Sequence, residues 1–325
     1  MMTTDTETTG HDVTQADIDA AWDRLFGDAA PAMLRRTPLF RLTGAALGLP
    51  CAEVWFKLEH LQLGGSFKAR GMFNRLLSAR VPDAGVVIAS GGNAGIACAA
   101  AANAIGVPCS VFVSSVSPMA KRRRLAELGA AVVVAGDHYP QALQACLDHA
   151  RQSGAMLVHA YDQLEVVAGA ATLAREIEEQ AGLPDTVLVS VGGGGLIGGL
   201  AAGFASRARV VALEPTACPT LFEARRLGHP VDVDVGGIAA DSLGARRIGE
   251  FACSVTQRHV DTALLIPDED IHEAQLWMWH EMRLLVEPAA ALPLAALRSG
   301  AYTPRADERV CLIVCGANLD PAKLT

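Results

Sequence analysis

The chain has 325 residues, 51% hydrophobic and 19% charged, with a formal net charge of −8. That length exceeds what one core usually fills, so two lobes are expected, and the acidic balance argues against nucleic acid or an anionic membrane as partner. The eight cysteines stand singly, without C-x-x-C or Cys/His zinc spacing, and read as reduced thiols of a cytoplasmic protein.

In chain order, the polar, acidic stretch over 1–13 reads as a disordered tail, neither signal peptide nor anchor. No apolar run is long enough to span a membrane without interruption by glycine or charge. Thr14 is a cap candidate for an amphipathic helix to Phe26, with Ile18, Ala21, Trp22, Leu25 and Phe26 on one stripe. Thr37-Pro38-Leu39 turns the chain into extended structure, and 54–58 is a strand candidate. From Val86, short β-branched runs alternate with alanine-rich helical patterns: strands at 86–89, 109–113, 130–135 and 156–160, helices at 94–105, 118–129 and 141–151. A helix over 165–180, a strand at 186–191, a helix to Phe204 and a strand at 210–214 continue the alternation. Helices are further predicted at 220–227, 243–251 and 269–285, and a last strand at 310–314. Such β-α repetition implies α/β architecture with parallel sheets covered on both faces. The run Lys121 to Arg124 and the acids Glu176, Glu178 and Glu179 read as solvated helix faces. Trp277 and Trp279, with His280, read as a packed or dimer-contact face.

Three glycine-rich stretches stand out. Gly64-Gly65-Ser66 leads into Phe67 and Lys68 at a loop-to-helix junction, where an amine has restricted mobility and nearby backbone amides, as a nucleophilic lysine needs. Ser90-Gly91-Gly92-Asn93-Ala94-Gly95 and Gly192-Gly193-Gly194-Gly195 each break an apolar run and precede a helix. Amides at such a helix start can wrap a phosphate, which the helix dipole favours. The four-glycine loop is not a nucleotide-triphosphate P-loop. Taken alone it leaves a Rossmann dinucleotide site open, for which Glu214 could supply the ribose-binding acid.

Together, from Thr37 to Asn318, these stretches resemble the fold-type II pyridoxal 5′-phosphate (PLP) enzymes, the tryptophan synthase β-like group, and within it the serine/threonine dehydratases. The resemblance implies a large PLP-binding domain over 1–66 and 158–325, with a small domain over 67–157 inserted into it and PLP in the cleft between them. Lys68 would bond to the cofactor aldehyde and Phe67 would pack on the pyridine ring. Asn93 would face the 3′-oxygen, and Gly192, Gly193, Gly194, Gly195 and Leu196 would hold the phosphate. Ser66, Ser90, Gly91, Asn93 and Ala94 would bind the substrate. Many dehydratases carry histidine where Ala94 stands, and Cys315 replaces the usual serine or threonine opposite the pyridine nitrogen. A thiol donates weakly there, which favours elimination over a long-lived carbanion. Glu214 would ligate a monovalent or divalent cation.

The reaction implied is deamination of L-threonine or L-serine by a homodimer, with no effector domain after Thr325. A racemase, a dehydratase of another hydroxy amino acid such as 3-hydroxyaspartate, a β-replacement synthase and a catalytically silent PLP-binding regulator are the alternatives.

Overall fold

The computed structural model describes residues 12–28, 30 and 34–324. Most of the expected tail, residues 1–11, lies outside them. Its last two residues are not loose: Val13 is buried and Asp12 takes both guanidinium nitrogens of Arg258. Thr14 caps helix α1 (Gln15–Phe26) through a capping box with Asp17.

The chain then runs through β1 (Leu39–Thr43), β2 (Glu53–Lys57), α2 (Lys68–Leu77), β3 (Val86–Ala89), α3 (Asn93–Ile105), β4 (Cys109–Val113), α4 (Met119–Glu127), β5 (Ala131–Val134), α5 (Tyr139–Ser153) and β6 (Met156–Leu157). After these come α6 (Leu164–Ala181), β7 (Thr186–Ser190), α7 (Gly195–Phe204), β8 (Arg209–Pro215), α8 (Thr220–Leu227), α9 (Ala240–Leu243), α10 (Glu250–His259), β9 (Thr262–Ile266), α11 (Asp268–Met282), α12 (Pro288–Arg298) and β10 (Arg309–Ile313).

Two sheets result. One has the order β1-β2-β10-β7-β8-β9, parallel except for the antiparallel edge strand β1; the other, β5-β4-β3-β6, is wholly parallel. Residues of β7 are buried throughout, as a strand covered on both faces requires. In the larger sheet β10, last in sequence, lies between β2 and β7. The loops leaving the C-terminal ends of β2, β7 and β10 therefore open at one place, where the strand order changes and open α/β sheets bind ligands.

Three sequence expectations are corrected. The stretch 243–251 is not one helix: α9 ends at Leu243, Gly244 to Gly249 form a loop, and α10 starts at Glu250. Its glycines and paired arginines favour a break. The strand expected over 156–160 is regular only at Met156–Leu157, with one further bond from Val158 N–H to the Val87 carbonyl (2.9 Å). Glu176 is fully buried, unlike its neighbours Glu178 and Glu179. It follows Thr172 by about one helical turn and so shares the inward stripe of α6 with Leu173 and Ile177.

Inward, Glu176 meets a closed charge cluster. Lys57 Nζ bonds to Glu176, to Gln180 Oε1 (2.8 Å) and to the Thr37 carbonyl (2.6 Å). Arg70, the third residue of α2, donates to Glu59 (2.8 Å from both Nε and Nη2) and to Glu176 Oε2 (2.9 Å). Two cations face two anions, all with wholly buried side chains. Burial pushes Glu59's carboxyl up, but Arg70, Lys57 and Thr37 outweigh it and carry it below the usual range. The cluster ties β2, α2 and α6 together just behind Lys68.

Candidate active site

Lys68 is the first residue of α2, and Nζ donates to the Ala160 carbonyl at 2.8 Å. The amine sits 5.2 Å from the Phe67 ring centre and 5.9 Å from that of Tyr161. No carboxylate among the described residues pairs with it, and burial lowers its pKa from 10.5 to about 8. The loop before it is strapped to the chain after β10: Phe67 N–H donates to Cys315 O (3.0 Å), Ala317 N–H to Gly65 O (2.9 Å), and Ser66 pairs with Gly316.

Facing Lys68, the four glycines leave β7 and lead into α7. Gly194 has φ +92°, a conformation that strains any side chain. A Cβ on Gly193 would stand 2.3 Å from the Tyr161 ring. Backbone amides are thus bare toward a cavity lined by Phe67, Lys68, Asn93, Ser190, Gly192 to Gly195, Leu196, Ser242, Leu243, Glu287, Ala289 and Cys315. A helix N-terminus and side-chain-free amides form an anion seat, and a low-pKa lysine stands beside it. These features fit a phosphorylated aldehyde.

Phe67, Lys68, Asn93, the four glycines, Leu196 and Cys315, distant in sequence, thus line one cavity. Ser66, Ser90 and Gly91, in the adjoining loops, and Ala94, in the first turn of α3, do not line it. The Ser66 hydroxyl is buried without a partner, and Ser90 Oγ accepts from Gly92 N–H at 3.3 Å. Gly91 backs onto Ser117, and Ala94 packs into the core of the smaller sheet. Burial pushes the Cys315 thiol far up, aided by Glu287, so it stays neutral. Glu214 stands apart from the cavity, capping α8: it accepts from Thr220 Oγ1 (2.9 Å), Leu221 N–H (2.7 Å) and Phe222 N–H (2.7 Å). Burial raises its carboxyl to about 7 against those bonds. Among the described residues no three His, Cys, Asp or Glu side chains cluster as metal ligands.

Sequence reasoning missed Ser190, Ser242, Glu287, Ala289 and Tyr161. Only Glu287 carried a signal, since an acid before Pro288 and an alanine-rich run marks a helix start. The basic run on α4 is not wholly a solvated face: Lys121 reaches across to Asp241, and Arg122 to the Ser115 carbonyl. A second hollow lies between α1, α6 and α7, but Arg207 is matched there by Glu178 (2.7 Å) and Arg175 by Glu179 (3.0 Å).

Comparison with known proteins agrees with this geometry. Residues 32–316 match the family model described as pyridoxal-phosphate dependent enzyme. The chain is 33% identical to a phenylserine dehydratase of Ralstonia pickettii, over 89% of this chain and 90% of that protein. It superposes on the crystal structure of a threonine deaminase from T.th. with a TM-score of 0.86 and 30% identity, covering 94% of this chain and 99% of that one. For a maize serine racemase the TM-score is 0.87 and the identity 27%, covering 96% and 95%. Among the described residues no helix is long and apolar enough to cross a membrane.

Proposed function

Because the chain belongs to the pyridoxal-phosphate dependent enzyme family, we propose that it eliminates water from L-threonine or L-serine and releases an enamine, which takes up water again to give 2-oxobutanoate or pyruvate and ammonia. The cofactor is pyridoxal phosphate. When bound, it supplies an electron sink that acidifies the α-hydrogen of an attached amino acid.

The observation that carries the reading is the Lys68 amine: half-buried, lowered to about 8, without a carboxylate, and facing the glycine cradle. At neutral pH a useful fraction is unprotonated, so Nζ would be available to hold the cofactor aldehyde and to take the proton from the substrate Cα. The amides of Gly192 to Gly195 and the N-terminus of α7 would hold the cofactor phosphate, and Phe67 would lie against its ring. The buried Ser66 hydroxyl, with Ser90, Gly91 and Ala94 at the start of α3, orients the substrate carboxylate, for which the α3 dipole is suited. The neutral Cys315 thiol offers the ring nitrogen a weak donor only. Residues 67–157 form the small domain in this reading, Glu214 serves a cation at the α8 turn, and the protein is a homodimer.

A second reading changes the substrate's β-substituent from methyl or hydrogen to phenyl, favoured by the likeness to the Ralstonia pickettii phenylserine dehydratase. A 2-oxo-acid assay over threonine, serine, 3-hydroxyaspartate and phenylserine decides between them. Rapid release from threonine or serine supports the first, and release from phenylserine alone supports the second. D-serine formed from L-serine, read by chiral chromatography without 2-oxo acid, would overturn elimination in favour of racemisation.

A further inference from the structure

Asn93 is held from two sides. Its Nδ2 donates to both oxygens of the Glu287 carboxylate (3.0 and 2.9 Å), and its Oδ1 accepts from Asn318 Nδ2 (2.7 Å). Asn318 also donates its backbone N–H to Glu287 Oε1 (2.6 Å), and its Nδ2 reaches the Gly64 carbonyl of the lysine loop (2.7 Å). Glu287 is the N-cap of α12, where a carboxylate ordinarily takes its own helix's first amides. Here it caps nothing. It is 4% exposed, and no lysine or arginine among the described residues pairs with it. A buried carboxylate without a cation is costly, and this one serves only Asn93 and Asn318.

We propose that Glu287 is the positioning residue for Asn93. An amide offers two N–H groups and one oxygen. One N–H goes to Glu287 and the oxygen to Asn318, so a flipped amide would set its oxygen against a carboxylate. The second N–H is therefore the donor presented to the cavity, in one fixed orientation. The same bonds link the first residue of α3, beside the smaller sheet, to the chain on either side of β10 in the larger one, so they also set the width of the cleft at this point. The inference rests on the reading that Asn93 donates to bound PLP.

The test is a titration of the full chain, stripped of cofactor, with PLP. Dissociation constant and position of the visible absorbance band are read for the wild type, Glu287→Gln, Asn93→Ala and the double variant. Glutamine keeps the size but puts a donor among donors, so Glu287→Gln should weaken PLP about tenfold or more and move the band. In the Asn93→Ala background it should change neither, because its effect runs through Asn93. Additive effects, or a Glu287→Gln protein with wild-type affinity and band, would overturn the inference while leaving the family chemistry intact. If Glu287→Gln does not fold, Asn318→Ala is paired with Asn93→Ala under the same criterion. A wild type that takes up no PLP would sink the reading beneath and this inference with it.

Discussion

Two lysines flank the same loop and are treated in opposite ways. Lys57, at the end of β2, points into a dry cluster where Glu176 and Glu59 face it and Arg70 closes the set. Burial pulls its pKa down, and both carboxylates oppose the pull. Lys68, at the start of α2, has a backbone carbonyl and two aromatic rings, and burial lowers it to about 8 with little opposition. The nearby acids are committed elsewhere, Glu59 and Glu176 to Arg70 and Glu287 to Asn93. A reactive amine is thus made by withholding a counter-ion, and a structural one by supplying it.

One chemical change made at both lysines tests the contrast most strongly. Lys68→Met should lose at least about a thousandfold in kcat and the covalent cofactor absorbance, while its denaturation midpoint stays level or rises because a half-buried amine without a counter-ion is gone. Lys57→Met should do the reverse. Leaving Glu59 and Glu176 with Arg70 as their one cation, a buried cluster with an uncompensated negative charge, should cost about 3–5 kcal/mol in chemical denaturation, with the cofactor band still forming in whatever fraction is folded. Equal stability losses at the two sites would break the comparison.

Next in size is Gly193→Ala. Its Cβ would meet the Tyr161 ring at 2.3 Å, so Tyr161 must yield, opening the wall beside Lys68. PLP affinity, measured by titration, should fall about tenfold or more with a stability loss of about 1–3 kcal/mol.

The pH dependence sharpens the comparison further. Below about 8 the rate of cofactor attachment to the stripped protein should rise about tenfold per pH unit and level off above, as the Lys68 free amine accumulates. For stability the sign follows from linkage: between about 8 and the ordinary lysine value of 10.5 the unfolded chain binds more protons at this site than the folded one, so the Lys68 contribution grows more favourable as pH rises. In Lys68→Met that increment should vanish from a pH series of denaturation curves. The smallest effect is expected for Cys315→Ser, a near-isosteric exchange of one buried neutral donor for a stronger one, worth less than about 1.5 kcal/mol in stability and read best as a change in the visible spectrum.

Regular elements were largely legible from the sequence because their signals are local. Apolar period and punctuation place α8 at Thr220–Leu227 and β4 at Cys109–Val113 as expected. The glycine loops and Lys68 were legible for the same reason, since a bare turn before a helix is written in consecutive residues. Glu176 and Glu287 were not. Each is an acid in an unremarkable local context, and its surroundings come from chain about 100 residues or more away, Lys57 and Arg70 for the first and Asn93 for the second.

By itself, then, the order of residues determined an alternating α/β chain with an amine, an asparagine and a phosphate-sized glycine turn. Only the tertiary structure decided which carboxylates would stand beside that amine and which would be kept from it. Charge in a buried site depends on the distance between groups that the sequence keeps far apart, and that distance is fixed when β10 enters the sheet between β2 and β7.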